Sequence, residues 1–284
     1  MNPTEEFERN RDHLRSVAYR MLGSITEADD AVQESWLRFN RAGTEEVDNM
    51  RAWLTVIVSR VCLDMIRSRR ARREDMLDGS LPEPVVALEE SNDPAHEVLI
   101  ADSVGLALQI VLETLAPAER LAFVLHDMFG MAFEEIAPIV ERSVPATRQL
   151  ASRARRRVRG AEPSSETDDA RQRRVIDAFL AASREGDFDA LLEVLDPDVV
   201  MRIDAGRLRP AAELHGSREV AALVLAEGTP RAPLGRQAIV NGAPGVVVAR
   251  GGHVLAVAAF TTSGGKITSL NLVADPDKLR HVRV

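Results

Sequence analysis

Residues 133–159 constrain this chain more than any other segment. They open with Phe-Glu-Glu-Ile-Ala-Pro-Ile-Val, pass through a short polar turn, and continue as Val-Pro-Ala-Thr-Arg-Gln-Leu-Ala-Ser-Arg-Ala-Arg-Arg-Arg-Val-Arg. The stretch from Val144 to Arg159 carries six arginines (Arg148, Arg153, Arg155, Arg156, Arg157 and Arg159) and no acid, although the chain as a whole is formally −8. An acidic protein that gathers positive charge on one helix presents a local surface for a polyanion. Phe133, Ile136 and Ala137 face inward on the first short helix. Ser143 is placed to cap the second, and Pro145 falls in its first turn, where a missing N–H costs little. This spacing is that of a helix-turn-helix, whose second helix enters the major groove.

The bulk properties exclude several classes. A chain of 284 residues has room for two or three domains, and 45% apolar residues are enough for packed cores. The single cysteine, Cys62, lies in the apolar run Val61-Cys62-Leu63, so it reads as a small buried hydrophobe with no intrachain disulfide. The polar start Asn2-Pro3-Thr4-Glu5-Glu6 does not resemble a signal peptide, and no apolar run approaches the roughly 18 residues of a membrane span. A cytoplasmic protein without membrane segments is expected. His96, His126, His253 and His281 have no ligand spacing, so neither a metal nor another cofactor is expected.

Composition divides the chain into blocks. A helical block spans 1–74, and an acidic, proline-broken connector spans 75–96, with Leu81-Pro82-Glu83-Pro84 and Glu89-Glu90-Ser91-Asn92-Asp93-Pro94. A second helical block covers 97–160, a Gly/Pro/Ser linker 161–168, and a block with strands 169–284.

In the first block, Leu14, Val17, Ala18, Met21, Leu22 and Ile25 follow the i, i+3, i+4, i+7 rule of an amphipathic helix. A second helix is expected to start near Thr26 as cap, with Asp29 in the capping-box position and Val32, Trp36 and Phe39 inward. Its other face shows Asp30, Gln33 and Glu34, a like-charge arrangement that a basic partner would relieve. A third helix, about 49–70, has the core stripe Leu54, Val58, Val61 and Met65. Trp53, Arg60 and Arg67 lie seven apart on another face, and Arg69, Arg70, Arg72 and Arg73 extend the charge. An aromatic with arginines suits a nucleic-acid strand, the ring stacking on a base while guanidinium groups hold phosphates. Burial of Trp53 in the core is an equal reading. Two basic modules joined by a connector can grip two separated DNA elements at once.

The segments Asp29-Asp30-Ala31-Val32-Gln33-Glu34-Ser35-Trp36-Leu37-Arg38-Phe39, Arg51-Ala52-Trp53-Leu54 and 133–159, in that order, resemble the bacterial extracytoplasmic-function sigma factors over about residues 10–160. The last block resembles the SnoaL-like domain fused to one subgroup of them. Leu81-Pro82-Glu83-Pro84 and Asp275-Pro276-Asp277-Lys278-Leu279 are similar to two of that subgroup's motifs, and Asp204-Ala205-Gly206-Arg207 to a degraded form of its Asp-Gly-Gly-Gly-Arg segment.

The resemblance implies a non-enzymatic sigma factor that works with core RNA polymerase and promoter DNA. Polymerase contacts would fall on Asp29, Asp30, Gln33, Glu34 and Leu37. Minus-ten contacts would fall on Asn49, Arg51, Trp53, Arg60 and Arg67. Minus-thirty-five contacts would fall on Ser143, Thr147, Arg148, Gln149, Ser152, Arg153 and Arg156. Leu81, Pro82, Glu83 and Pro84 would form a regulatory contact with Asp275, Pro276, Asp277, Lys278 and Leu279. An anti-sigma factor is left as an open partner.

The implied architecture is two all-α domains, the second with the helix-turn-helix, and a C-terminal α+β cone with a curved antiparallel sheet. Strands are expected at Val199–Asp204, Arg236–Val240, Gly245–Ala249, His253–Thr261 and Lys266–Val273, with Gly251-Gly252 and Gly264-Gly265 as hairpin turns. Such a cone has an interior cavity, open to a small ligand, and Asp204, Arg207 and His215 are the candidates for proton transfer there. Two alternatives remain at this point: a stand-alone helix-turn-helix regulator with a ligand-sensing cone, and a cyclase- or isomerase-like enzyme.

Overall fold

The computed structural model describes residues 3–42, 49–71, 80–87, 105–161 and 169–282. The acidic stretch 89–94, the linker 162–168 and Arg72-Arg73 lie outside them. The chain forms two compact units, Met1–Asp75 with Leu108–Ala161, and Met76–Ala107 with Glu162–Val284.

The helical unit begins with α1 (Pro3–Leu22), α2 (Ile25–Ala42) and α3 (Met50–Ala71). The periodic stripe of α1 is its core side: Leu14, Val17, Ala18, Met21 and Leu22 are all buried. Gly23 ends α1 in the left-handed region (φ 73°), its N–H bonding the Tyr19 carbonyl. Ser24 follows at once and caps α2, its Oγ accepting from the Glu27 N–H at 3.2 Å. The cap is therefore Ser24 and not Thr26, because the glycine stop leaves no room for a longer loop. Phe7, Trp36, Phe39 and Trp53 form a chain of ring contacts 4.9–5.7 Å apart that locks the three helices together. Burial pushes the Cys62 thiol pKa far up, as expected of a packed, inert cysteine.

Helices α4 (Leu106–Thr114), α5 (Pro117–Phe123, continuing as a π turn to Met128), α6 (Phe133–Val140) and α7 (Val144–Ala161) complete this unit. Two buried polar side chains of this second set reach the end of α1. Arg120 donates to the Met21 carbonyl at 2.7 Å, and Gln109 Nε2 to the carbonyls of Tyr19 and Arg20 at 3.4 and 3.3 Å. The last carbonyls of a helix lack the usual partner one turn on; Tyr19 already accepts from the Gly23 N–H, and these two side chains supply donors to Arg20 and Met21.

The C-terminal unit has α8 (Asp169–Glu185) and α9 (Phe188–Val194), then β2 (Leu195–Asp204) and β3 (Ala212–His215). After α10 (Ser217–Leu223, with a π turn to Gly228) come β4 (Gly235–Val240), β5 (Ala243–Arg250), β6 (His253–Ser263), β7 (Lys266–Val273) and a short α11 (Pro276–Leu279). The sheet runs β1-β4-β5-β6-β7-β2-β3, where β1 is Val86–Ala87. It is mixed, not antiparallel throughout, since β2 and β7 pair parallel, Met201 opposite Leu270. The meander β4–β7 returns to β2 from the far side, and strand direction there follows the long crossover rather than a hairpin. Register shifts in β2, β5 and β6 bend the sheet, and α8 and α10 cover its concave face.

The connector residues 80–87 belong to this unit and are not free. Residues before proline avoid the α region, which keeps Leu-Pro-Glu-Pro extended. An extended segment can add to an open sheet edge, and Val86–Ala87 pairs antiparallel with Val240 and Ile239.

Candidate functional site

Helix α7 presents two faces. Thr147, Ala151, Ala154 and Val158 are buried, at the i, i+4, i+7 and i+11 positions. Arg148, Gln149, Ser152, Arg153 and Arg156 are exposed with Ser143, whose Oγ accepts from the Ala146 N–H at 3.4 Å. Thr147 is a correction to the expected reading surface: its hydroxyl donates to the Ser143 carbonyl at 3.0 Å inside the fold. Acids of the preceding helices hold part of the basic face. Glu119, buried itself, takes Arg153 at 2.7 Å and Arg157 at 3.1 Å, Asp127 takes Arg155 at 2.6 Å, and Glu134 takes Arg148 at 3.1 Å. These pairs orient the guanidinium groups of α7. Arg148 and Arg153 therefore face any DNA contact with a carboxylate already beside them, whereas Gln149, Ser152 and Arg156 are simply exposed.

On α2, Asp29, Asp30, Gln33 and Leu37 are exposed and Glu34 is half-buried. Asp29 is held by Arg15 at 2.6 Å and Glu34 by Arg38 at 2.9 Å. Asp30, Gln33 and Leu37 form one stripe, with Leu37 43% exposed beside the acids. On α3, Arg51, Arg60 and Arg67 are exposed. Asn49 caps the helix, its Oδ1 accepting from the Ala52 N–H at 3.1 Å. Trp53 is half-buried, its ring 5.7 Å from Phe39. Both readings of that tryptophan meet here, since one side packs and the other stays open.

In the C-terminal unit the structure brings together the connector and tail segments. Asp204 is buried, and its carboxylate accepts from Lys278 Nζ at 2.7 Å, the Leu81 N–H at 2.8 Å and the Gly206 N–H at 2.9 Å. Lys278 also donates to Ser80 Oγ at 2.6 Å and to the Leu81 carbonyl. Leu81, Pro82, Glu83 and Pro84 are all buried. Asp275 caps α11 through the Asp277 N–H at 3.0 Å, with Pro276 in the first turn and Leu279 buried. Gly206 has φ 56°, and a Cβ there would meet the Asp275 carboxylate at 2.4 Å, so this position requires glycine. A second fastening holds Val85, whose N–H reaches Asn241 Oδ1 at 3.1 Å while its carbonyl accepts from the Asn241 N–H at 2.7 Å.

This geometry reassigns Asp204 from proton-transfer candidate to anchor. Burial raises its pKa, but the hydrogen bonds from Lys278, Leu81 and Gly206 outweigh that, and the net pKa is lowered. Arg207 is exposed, and His215 pairs with Glu213 at 3.0 Å on the surface, so the three do not converge. Sequence reasoning missed Ser80, Asn241, Gln109 and Arg120. Only Arg120 carried a signal, as a charge on the inward stripe between Glu119 and Leu121. Among the described residues, no three His, Cys, Asp or Glu are grouped to hold a metal, and no helix is long and apolar enough to cross a membrane.

Residues 7–72 match the family Sigma-70 region 2, and residues 106–158 match Sigma-70, region 4. The ECF RNA polymerase sigma factor SigJ of Mycobacterium tuberculosis is 40% identical over 288 residues, covering 96% of this chain and 92% of the relative. The probable ECF RNA polymerase sigma factor SigI of the same species is 38% identical over 274 residues, covering 96% and 93%. The crystal structure of M. tuberculosis SigJ superposes with a TM-score of 0.76 at 35% identity, covering 98% of both chains. With both promoter-facing modules and the C-terminal unit accounted for, the chain belongs to the extracytoplasmic-function sigma factors, transcription factors that bind core RNA polymerase and direct initiation at specific promoters.

Proposed function

We propose that this sigma factor docks on core polymerase through Asp30, Gln33 and Leu37 of α2, with Asp29 and Glu34 at the margin. Asn49, Arg51, Trp53, Arg60 and Arg67 engage the minus-ten element, and Ser143, Gln149, Ser152, Arg156, Arg148 and Arg153 the minus-thirty-five element. The C-terminal unit modulates initiation in cis, and the chain acts in the cytoplasm, where polymerase works.

One observation carries the regulatory part. The segment 80–87, which in sequence joins the two promoter-reading modules, is built into the C-terminal unit by Asp204, Lys278 and Asn241. A connector held at two points has fewer conformations than a free one, and the reach of a linker sets how effectively two tethered modules bind together. Releasing the tail therefore changes the populations of module spacings that polymerase and promoter select from.

The test is in vitro transcription with purified core polymerase and fragmented genomic DNA, comparing the full chain, a chain ending at Gly160 and one ending at Val273. Protein-dependent starts are expected, at levels that differ among the three. Equal transcription from the full chain and the chain lacking 274–284 would sink the cis-regulatory reading.

The minus-thirty-five assignment has its own expected result. Replacing Gln149 or Arg156 with alanine should cost about 1–3 kcal/mol of promoter discrimination if each makes a bidentate base contact. Neither side chain is needed by the fold, since both are exposed. Competition between minus-thirty-five variants for the holoenzyme measures this, and unchanged discrimination in both variants would remove these residues from the reading face.

A further inference from the structure

The concave face of the C-terminal sheet encloses a cavity of about 540 Å³ that none of the roles above uses. Its size lies within the roughly 300–1,000 Å³ of small-molecule sites. It is several times the ~150 Å³ void that takes up benzene. We propose that it binds one small amphiphile, an apolar body ending in a single carboxylate-type anion.

The interior decides the body. Phe179 and Leu180 from α8 face Met201, Val246, Phe260 and Leu270 from four strands across the space. Ser183 is the polar side chain at depth, and its Oγ already donates to the Phe179 carbonyl at 2.7 Å. A sugar or nucleoside would leave its water hydrogen bonds without replacement there, a loss of a few kcal/mol per group. An apolar chain or ring system loses nothing on entry and is removed from water.

The mouth decides the head. The titratable side chains lining the cavity are Arg209, Glu227 and Arg231. Arg209 Nη1 pairs with Glu227 Oε2 at 2.8 Å, and Arg231 Nη1 donates to the Glu227 main-chain carbonyl. Two guanidinium groups against one carboxylate leave a positive balance, and each guanidinium has five N–H donors of which these bonds use few. A carboxylate can take a remaining edge as a bidentate pair. The π turn Val224–Gly228 places Glu227 and Gly228 on the wall, and such turns recur at functional sites.

Apolar exposure marks the entrance. Leu208, 71% exposed, and Leu255, 40% exposed, both line this cavity. Single exposed leucines need no explanation. Two at one opening give an amphiphile an apolar surface to cross before its head group meets the arginines.

Isothermal titration calorimetry on the full-length protein tests the site with dodecanoate, dodecanol and dodecyltrimethylammonium, each below its micellar concentration. Dodecanoate is expected to bind once per chain with a negative heat-capacity change. Dodecanol should bind about tenfold more weakly, since it lacks the charge-assisted bidentate pair. Arg231→Glu should weaken dodecanoate about tenfold by setting two acids at the mouth, and leave dodecanol unchanged. Ala256→Trp, which fills the cavity, should abolish both. Should that variant fail to fold, displacement by dodecanoate of anilinonaphthalene sulfonate from the wild-type protein reads the same site. Absence of binding, equal affinity for acid and alcohol, or insensitivity to Arg231→Glu would each overturn the proposal. The readout is binding itself, so its failure leaves the promoter assignments untouched.

Discussion

Replacing Lys278 with methionine is expected to destabilise the C-terminal unit by about 3 kcal/mol at neutral pH, the lower end of the cost of removing one partner of a buried ion pair. Asp204 is 3% exposed and Lys278 is its cation, so the variant leaves a buried carboxylate supported by two amides and Ser80. For a unit of this size, 3 kcal/mol corresponds to roughly 6–12 °C in Tm.

The pH dependence separates this ion pair from simple packing loss. In the wild-type chain the Asp204 pKa is lowered, burial opposing and the Lys278, Leu81 and Gly206 hydrogen bonds prevailing. A lowered folded-state pKa means a contribution fully present above the unfolded value of about 3.9, and lost as pH falls through the lower folded value. Without Lys278 its hydrogen bond and its charge no longer lower the pKa while the desolvation remains, so the pKa is expected to rise relative to the wild-type chain. Relative to the wild type, the variant is then penalised at neutral pH and relieved on acidification. Urea denaturation at pH 7 and at pH 4 should show the gap between wild type and variant narrowing as pH falls, and a gap independent of pH would assign the loss to packing alone. The same variant removes the donor to the Leu81 carbonyl and to Ser80 Oγ, so its transcription should shift in the direction of the chain ending at Val273.

The second large effect is expected at Arg120. Arg120→Met keeps an apolar stem of similar length and removes the guanidinium that donates to the Met21 carbonyl. Hydrogen bonds from charged groups contribute about 1.5–3 kcal/mol, and the acceptor here is at a buried helix end with Gln109 as its neighbour's partner. A loss of about 2–3 kcal/mol in the helical unit is therefore expected. The loss should be local. Amide exchange should rise at the C-terminal turn of α1 and in α5, while the aromatic-locked contact of α2 with α3 stays protected. Uniform loss of protection across α1–α3 would show that Arg120 supports the whole unit and not this junction.

Much of the helical unit was legible. The α1 stripe, the start of the second helix of the helix-turn-helix and the exposed acids of α2 follow from a period of 3.6 residues and from Ser143 and Pro145. The errors are local and have physical causes. The resemblance places Thr147 on the reading surface, although it shares the period of Ala151, Ala154 and Val158 and is buried with them. The capping-box spacing to Asp29 favours Thr26 as cap, whereas the left-handed Gly23 makes so short a turn that the helix starts at Ile25. In the strand-rich block, β7 was read to the residue, whereas β1 and β3 are too short for alternation to declare itself.

What the sequence determined by itself was everything set within a few turns of chain: which segments are helices, which face of each is apolar, and where positive charge collects against an acidic background. Tertiary structure decided the partners of the isolated polar groups. Leu81 meets Asp204 across 123 residues, Lys278 meets Asp204 across 74, and Arg120 meets Met21 across 99. Loop-closure entropy rises only with the logarithm of length, so sequence separation barely ranks one distant partner above another. The choice falls to the geometry of burial, where a carboxylate, a lysine and a bare amide removed from water must satisfy one another. For that reason Asp204 reads in the sequence as one of three candidates for proton transfer and is a clasp in the fold.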